Sequence, residues 1–232
     1  MTLSLLLRKT WWMELLANNR AILVNATSLM GTLVVTSGLG FAYWWVIARL
    51  FAPAEAGLAA AAISAMLLLG TIGMMGMGTL LIGELARRPQ IIVSLITTAL
   101  IIAGGASLLL GVGFALSAAH FSADFAVLTA SRVNLLLFIT GVAITGMALV
   151  LDQALLGLLR GSWQLWRNTI FALSKLLLLL PAGYYFLASG AMGIYATWLV
   201  GNLLSLIFLA WLVGSKRMMR ADYRPRWAVF RE

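Results

Sequence analysis

Six long apolar stretches occupy most of the chain, and short polar connections separate them. A helix needs roughly 20 apolar residues to cross the hydrocarbon layer of a bilayer, and runs of that length recur here with almost no ions inside them. The strands of a membrane β-barrel would instead show segments of about 10 residues with strict alternation. We therefore predict an all-α polytopic membrane protein whose single bundle of six transmembrane helices occupies residues 22-48, 57-83, 91-118, 133-159, 168-187 and 191-214.

The composition agrees with this class, since 62% of the residues are hydrophobic and only 10% are charged. So little polar surface cannot cover a water-soluble globule of 232 residues. We divide the chain into an N-terminal segment at 1-21, the transmembrane bundle at 22-214 and a basic cytoplasmic tail at 215-232. Two interpretations of the first segment stay open: a helix lying at the membrane interface, with Trp11 and Trp12 in the headgroup zone, or a poorly ordered basic tail.

The Lys and Arg residues between the apolar stretches predict the orientation. Six spans place both termini on one side, which collects thirteen cations, whereas the opposite side has only Arg49 and Arg132. The positive-inside rule then places both termini in the cytoplasm, and we expect a bacterial inner-membrane location. The net charge of +9 reflects this topology and an attraction to lipid headgroups. Membrane lipids are thus expected partners, and nucleic acid is not, because no soluble basic domain is present.

Small residues recur at every fourth position of four spans, a pattern typical of close helix packing in membranes. The four stripes are Ser28, Thr32, Thr36 and Gly40; Gly57, Ala61 and Ala65; Ala99, Ala103, Ser107, Gly111 and Ala115; and Gly193, Thr197, Gly201 and Ser205. A cluster of Gly and Met at residues 70–78 has two interpretations, tight packing, which we favour, and an adaptable cavity wall.

Asp152 and Lys175 are the clearest ions inside apolar spans, where charge is costly and often functional. They lie equally far from Trp163 and Gln164, which we take as the centre of the hairpin joining the fourth and fifth spans. Equal separation puts two side chains at the same depth on antiparallel helices, so we predict that Asp152 and Lys175 pair. Such a pair serves either as a structural salt bridge or in ion coupling within a transport cavity.

Three further polar residues are candidates for substrate binding alongside Lys175. Arg49 ends the first span and is either a headgroup contact, which we favour, or an anion contact. Asn168 and Asn202 lie in the fifth and sixth spans, where an amide bonds either a neighbouring helix or a polar cargo.

Motifs for catalysis and cofactor binding are absent from the sequence. It has no HExxH, no phosphate-binding loop ending in Lys-Ser or Lys-Thr, and no GxSxG. It also has no cysteine, which removes thiolate metal sites. We therefore predict a protein that is not an enzyme and that uses no cofactor or metal.

Three stretches resemble the polysaccharide and O-antigen flippases of the multidrug/oligosaccharidyl-lipid/polysaccharide exporter superfamily. Residues 38–57 (GLGFAYWWVIARLFAPAEAG) are similar to the junction between its first and second helices, and residues 76–87 (GMGTLLIGELAR) to the end of its second helix. Residues 151–168 (LDQALLGLLRGSWQLWRN) are similar to the hairpin between its fourth and fifth helices. The resemblance implies translocation of a polyprenyl-pyrophosphate-linked oligosaccharide for cell-envelope polysaccharide, including lipopolysaccharide. It also implies that the pyrophosphate would bind cations such as Arg49 or Lys175.

Members of this superfamily have two bundles that face each other across a cavity, whereas one bundle is present here. The tail from Lys216 to Glu232 resembles the link between the bundles, so the chain looks like an N-terminal half. Three explanations stay open: a shortened or split gene product, a half-transporter completed by homo- or hetero-association with a second bundle, or a scaffold without transport. The functional alternatives are an ion-coupled drug antiporter using Asp152 and a non-transporting scaffold in a glycan assembly complex.

Overall fold

The computed structural model describes residues 20–185 and 190–215, and these residues form helices joined by short turns, with no strand among them. The predicted segment at 1-21, apart from its last two residues, and the predicted tail at 215-232, apart from Ser215, lie outside the described residues. Seven α-helices are described: α1 (Arg20–Leu50), α2 (Pro53–Gly73), α3 (Met77–Arg87), α4 (Ile92–Phe121), α5 (Arg132–Gly157), α6 (Gly161–Tyr185) and α7 (Gly190–Ser215). Short 3-10 turns at Pro89–Ile91 and Ala123–Leu128 flank α4.

The predicted all-α membrane class is confirmed. Five segments within the described residues are long and apolar enough to cross a bilayer: Ile22–Leu50, Pro53–Gly73, Pro89–Ala118, Arg132–Gly157 and Gly190–Ser215. The predicted span at 168-187 corresponds to α6, which is not among these five segments. With 25 residues, α6 is still about 37 Å long. Its lower apolarity reflects Arg167, Asn168 and Lys175 inside the helix.

The predicted span at 57-83 is not one continuous helix. It divides into α2 and α3 at a turn through Met74, Met75 and Gly76, where Met75 has φ 48° and Gly76 has φ 76°. These left-handed conformations cannot continue an α-helix, and glycine adopts them without steric penalty. The Gly and Met cluster at 70–78 thus contains a break in the helix that the apolar pattern did not predict.

The helices form two groups that meet at α7. In the first group α5 is central, since it packs against α2, α3 and α4 and contacts α7 as well. In the second group α6 lies between α1 and α7 and packs extensively along both. Much of α1 is left exposed on its other side, where Val34 and Phe41 are more than 70% accessible. In a bilayer this side of α1 faces lipid or another protein.

Glycines bring α2, α4 and α5 into close contact. A Cβ added at Gly73 would lie 2.7 Å from the Ser107 Cα, and one added at Gly70 would lie 3.2 Å from the backbone nitrogen of Gly146. A Cβ at Gly146 would also overlap the Ser107 side chain. These contacts confirm the tight-packing interpretation of the Gly and Met cluster, because backbone atoms meet where side chains would otherwise separate the helices.

The predicted stripes of small residues differ in outcome. Both the stripe on α4 and the stripe on α7 are fully buried at helix contacts, as predicted. In α2 the prediction was wrong for Gly57 and Ala61, which are exposed, because Ala59, Ala62, Ile63 and Met66 form the buried face. In α1 no atom lies within 4 Å of a Cβ built on Gly40, so that residue marks no close approach.

Polar side chains accept hydrogen bonds from backbone N–H groups at the starts of two helices. The Ser131 hydroxyl accepts a hydrogen bond from the Asn134 backbone nitrogen at 3.1 Å and caps α5. The buried Asn25 of α1 accepts one from the Gly161 backbone nitrogen at 2.7 Å, at the first residue of α6. The second bond joins the start of α1 to the start of α6.

Candidate functional site

Lys175 lies in a cage of three aromatic rings. Its Nζ is 3.6 Å from the centroid of the Trp198 ring and 4.8 Å from the centroids of both Tyr43 and Phe171. All three distances are within the range of a cation–π contact. The rings come from three helices, with Tyr43 on α1, Phe171 on α6 and Trp198 on α7. We call Tyr43, Phe171 and Trp198 the aromatic cage.

A close approach between α6 and α7 positions this cage. A Cβ added at Gly201 would lie 3.1 Å from the Lys175 backbone nitrogen and 3.2 Å from the Phe171 carbonyl oxygen. Because Gly201 has no side chain, α7 can lie directly against the α6 backbone at the level of Lys175. Trp198 is one turn from Gly201 on α7, so its ring reaches over the ammonium.

Tyr43 connects α1 to α7 at the same level. The Tyr43 hydroxyl lies 2.8 Å from the Thr197 hydroxyl and donates a hydrogen bond to the Ile194 carbonyl oxygen at 3.2 Å. The Tyr43 ring meets Trp198 edge to face, with centroids 5.9 Å apart. Tyr43 is completely buried. Its polar tip is therefore fixed on α7 while its ring contacts the Lys175 ammonium on α6.

Lys175 is 5% exposed, yet no carboxylate in the described part of the chain is within 4 Å of its Nζ. The negative faces of the aromatic rings stabilise the cation without neutralising its charge. A buried ammonium without a carboxylate partner is costly and attracts an anion. The arrangement therefore holds a cation inside the helix bundle whose charge no carboxylate of the described residues neutralises.

Asp152 pairs with Arg167, so the predicted pair of Asp152 and Lys175 is wrong. The Arg167 Nη2 donates to the Asp152 Oδ2 at 2.7 Å and to the Asn168 Oδ1 at 3.0 Å. The Asn168 Nδ2 donates to the Asp152 Oδ1 at 3.4 Å and to the Gln164 carbonyl oxygen at 3.0 Å. We call Asp152, Arg167 and Asn168 the hairpin cluster, since it lies near the turn between α5 and α6.

The physical reason is the position of the hairpin. Helix α5 ends at Gly157 and α6 begins at Gly161, so the turn centres on Leu159 rather than near Trp163. Asp152 and Arg167 are almost equally far from Leu159, which places them at the same depth. Lys175 lies two helical turns farther from this turn than Asn168 does.

The hairpin cluster has more hydrogen-bonding capacity than its internal bonds use. Arg167 is 4% exposed, and its Nε and Nη1 atoms, like the Gln164 Oε1, are buried without a hydrogen-bond partner among the residues at 20–185 and 190–215. The Asn168 amide bonds to Asp152, Arg167 and the Gln164 carbonyl oxygen. It is therefore positioned to orient these two charged side chains rather than to bind a cargo. The cluster therefore resembles a structural polar network with unused donors on its arginine.

The remaining two candidates for substrate binding lie elsewhere. Arg49 is exposed in the last turn of α1, and its guanidinium carbon lies 5.2 Å from the centroid of the Trp45 ring. This placement at a helix end suits contact with lipid headgroups. Asn202 is buried on α7, next to Gly201. Arg49 therefore lies apart from Lys175. Asn202 is the residue after Gly201, which makes the contact between α6 and α7.

Acidic side chains and a cavity occupy the end of the bundle where α2 begins. The cavity of about 480 Å³ is lined by Ala54, Glu55, Gly57, Leu58, Ala61, Ser122, Asp124 and Phe125. No group of three or more His, Cys, Asp or Glu side chains in the described ranges is arranged to hold a metal ion. This cavity thus offers two carboxylates but no metal centre.

Sequence reasoning missed the aromatic cage and Arg167. The signal for Arg167 was its apolar surroundings on α6, where a second cation lies two turns from Lys175. For the cage, each aromatic residue is one of many in the apolar spans, and only the rotation of three helices brings these rings together. Nothing in the residue spacing distinguishes them from Trp44 or Trp45.

Comparison with known proteins gives one match. The sequence model of the family described as "Polysaccharide biosynthesis protein" matches residues 22–230, which is well over half of the chain. No curated protein and no solved structure matches the chain significantly. The match includes every described helix after the first two residues of α1, and it includes Lys175, the aromatic cage and the hairpin cluster. The chain belongs to the polysaccharide biosynthesis protein family.

Proposed function

We propose that the protein translocates a polyprenyl-linked oligosaccharide across the bacterial inner membrane for cell-envelope polysaccharide synthesis. Lys175 is the residue that contacts the pyrophosphate of the carrier lipid. Membership of the family supports a role in polysaccharide biosynthesis, and the apolar helices support a location in the membrane. Neither indicates an enzyme, and we assign no catalytic residue, cofactor or metal to this activity.

The proposal rests on the surroundings of the Lys175 ammonium. Lys175 lies within α6, and its ammonium contacts three aromatic rings, with no carboxylate of the described residues within salt-bridge distance. A charge-assisted hydrogen bond to a phosphate oxygen is stronger than a contact with a ring face. An anionic headgroup entering the bundle therefore meets a cation whose charge no carboxylate of the described residues neutralises.

A second bundle completes the translocation path in this proposal. One bundle would leave a polar path beside Lys175 open to lipid on one side, where polar groups lack hydrogen-bond partners. The exposed side of α1 is available for such a partner, either another copy of the chain or a different subunit. Both termini are cytoplasmic in this arrangement, and Arg49 contacts lipid headgroups at the exterior face.

The hairpin cluster argues against the ion-coupled antiporter. A carboxylate that binds a coupling ion must exchange that ion during transport, whereas Asp152 already accepts a short bond from Arg167. Arg167 occupies the position that a sodium ion or proton would need. The remaining alternative is a scaffold of a glycan assembly complex. A scaffold would support polysaccharide export without Lys175, whereas the flippase requires this residue.

Replacement of charged residues in the producing cells tests the proposal. Lys175→Met is expected to reduce surface polysaccharide strongly and to accumulate lipid-linked oligosaccharide, while Lys175→Arg keeps part of the activity because the charge remains. Leu177→Met, an exposed position on the same helix, is the matched control. Normal export with Lys175→Met at wild-type protein levels contradicts the flippase role of Lys175 and favours the scaffold. Ion-dependent drug efflux lost only with Asp152→Asn favours the antiporter.

A further inference from the structure

Three helices hold the Lys175 ammonium jointly, through Tyr43 of α1, Phe171 of α6 and Trp198 of α7. We propose that the aromatic cage competes with the anionic ligand for this ammonium, and that its release loosens the contact between α1 and α7. The aromatic cage thus acts as a positioning device that couples anion binding to movement of α1. The identity of the anion as a pyrophosphate rests on the proposed function.

Caging and anion binding exclude each other on geometric grounds. Within the cage Lys175 is only 5% exposed, and its Nζ is 3.6 Å from the Trp198 centroid. A phosphate oxygen must come within about 3 Å of the nitrogen to form a charge-assisted hydrogen bond. The ammonium therefore leaves the rings when it binds the anion. The favourable free energy of the cation–π contacts is lost in this step, and the affinity for the anion is lower by that amount.

Release of the ammonium acts on α1 through Tyr43. Helix α1 packs mainly along α6, and Tyr43 reaches past that contact to the Thr197 hydroxyl and the Ile194 carbonyl of α7. Tyr43 and Trp198 also share the cation, which attracts both rings while it lies against them. Withdrawal of the cation removes this shared attraction at the place where α1 is joined to α7.

Binding of inorganic pyrophosphate to the purified full-length chain tests the competition. Wild type is expected to bind, and Lys175→Met to lose binding. Trp198→Leu is expected to bind up to about tenfold tighter, because the strongest competitor for the ammonium is gone. Trp198→Phe keeps a smaller ring and gives an intermediate affinity, and it serves also if Trp198→Leu does not fold. Trp211→Leu, an exposed position on the same helix, leaves the affinity unchanged.

The sign of the Trp198 effect separates this role from a purely structural one. A tryptophan that only supports the fold would weaken binding when it is removed, so weaker or unchanged binding by both Trp198 variants overturns the cage. Absent pyrophosphate binding by wild type, or equal binding by Lys175→Met, contradicts the pyrophosphate contact of the proposed function instead. The two failures are therefore distinguishable in one titration.

Spin labels test the movement of α1. The chain has no cysteine, so Phe41→Cys on α1 and Leu204→Cys on α7, both at exposed positions, give two unique labelling sites. Pyrophosphate is expected to shift the distance between the labels in wild type and not in Lys175→Met. Trp198→Leu is expected to show the shifted distance without pyrophosphate. Tight binding with an unchanged distance overturns the coupling to α1.

Discussion

Arg167 donates a hydrogen bond from Nη2 to the Asp152 Oδ2 at 2.7 Å, across the turn that joins α5 to α6. Removal of one partner leaves a buried charge alone, which destabilises proteins by about 3–5 kcal/mol. Asp152→Asn is therefore expected to lower the free energy of unfolding by that amount in mixed micelles. The double replacement Asp152→Asn with Arg167→Gln is expected to recover much of the loss, because no charge remains.

Arg87→Gln is the control for this pair. Arg87 lies 3.6 Å from Glu84, but its side chain is 77% exposed, and such surface pairs contribute about 0–1 kcal/mol. Equal unfolding free energies for Asp152→Asn and Arg87→Gln would contradict the importance of the hairpin cluster.

The partner of Asp152 shows what residue spacing can predict. Equal depth on two antiparallel helices was the correct criterion, and it selects Arg167 once the turn is placed at Leu159. The sequence around the turn, with Leu158, Leu159 and Arg160, gives no Pro or Asn-Gly signal for its centre. A displacement of the centre by one helical turn was enough to select Lys175 instead.

Gly73→Ala is expected to destabilise the contact between α2 and α4. The added Cβ would lie 2.7 Å from the Ser107 Cα and 2.8 Å from its nitrogen, and backbone atoms cannot rotate away. Such overpacking typically costs about 1–3 kcal/mol, which a lower midpoint of thermal unfolding would report. Gly57→Ala on the same helix has no atom within 4 Å of the new Cβ and serves as the control. A Gly73→Ala protein as stable as Gly57→Ala would show that the helices are not in backbone contact there.

Asn25→Leu is expected to loosen the start of α6. It removes the acceptor for the Gly161 backbone nitrogen, which is 2.7 Å away and buried, and such a loss costs about 1–3 kcal/mol. Hydrogen exchange of the amides in the first turn of α6 should become faster, while α7 remains unchanged. Asn25→Asp retains the acceptor and is expected to restore slow exchange. Fast exchange with Asn25→Asp as well would mean that the hydrogen bond does not hold this helix start.

Single cysteines are expected to report the orientation. Gln90 lies in the turn between α3 and α4, and Thr129 lies before α5, and both are exposed. Because the chain has no native cysteine, a membrane-impermeant maleimide should label Thr129→Cys in intact cells and Gln90→Cys only after lysis. The reverse pattern would contradict the cytoplasmic termini.

The bundle was predictable from the sequence because a bilayer requires long apolar helices, and that requirement appears directly as apolar length. The break at Gly76 was not, since the apolar run continues through it and only its φ of 76° reveals the turn. The aromatic cage was not predictable either, because Tyr43, Phe171 and Trp198 belong to three helices. Their meeting depends on helix rotations that a pattern of small residues restricts but does not determine.

Translocation in everted inner-membrane vesicles tests the central role of Lys175 most directly. The measured quantity is the rate at which lipid-linked oligosaccharide becomes inaccessible to an enzyme outside the vesicles. We expect transfer with wild type and with Leu177→Met, and a rate about 10- to 100-fold lower with Lys175→Met, the effect of one charge-assisted hydrogen bond. Transfer by folded Lys175→Met at the wild-type rate would contradict it.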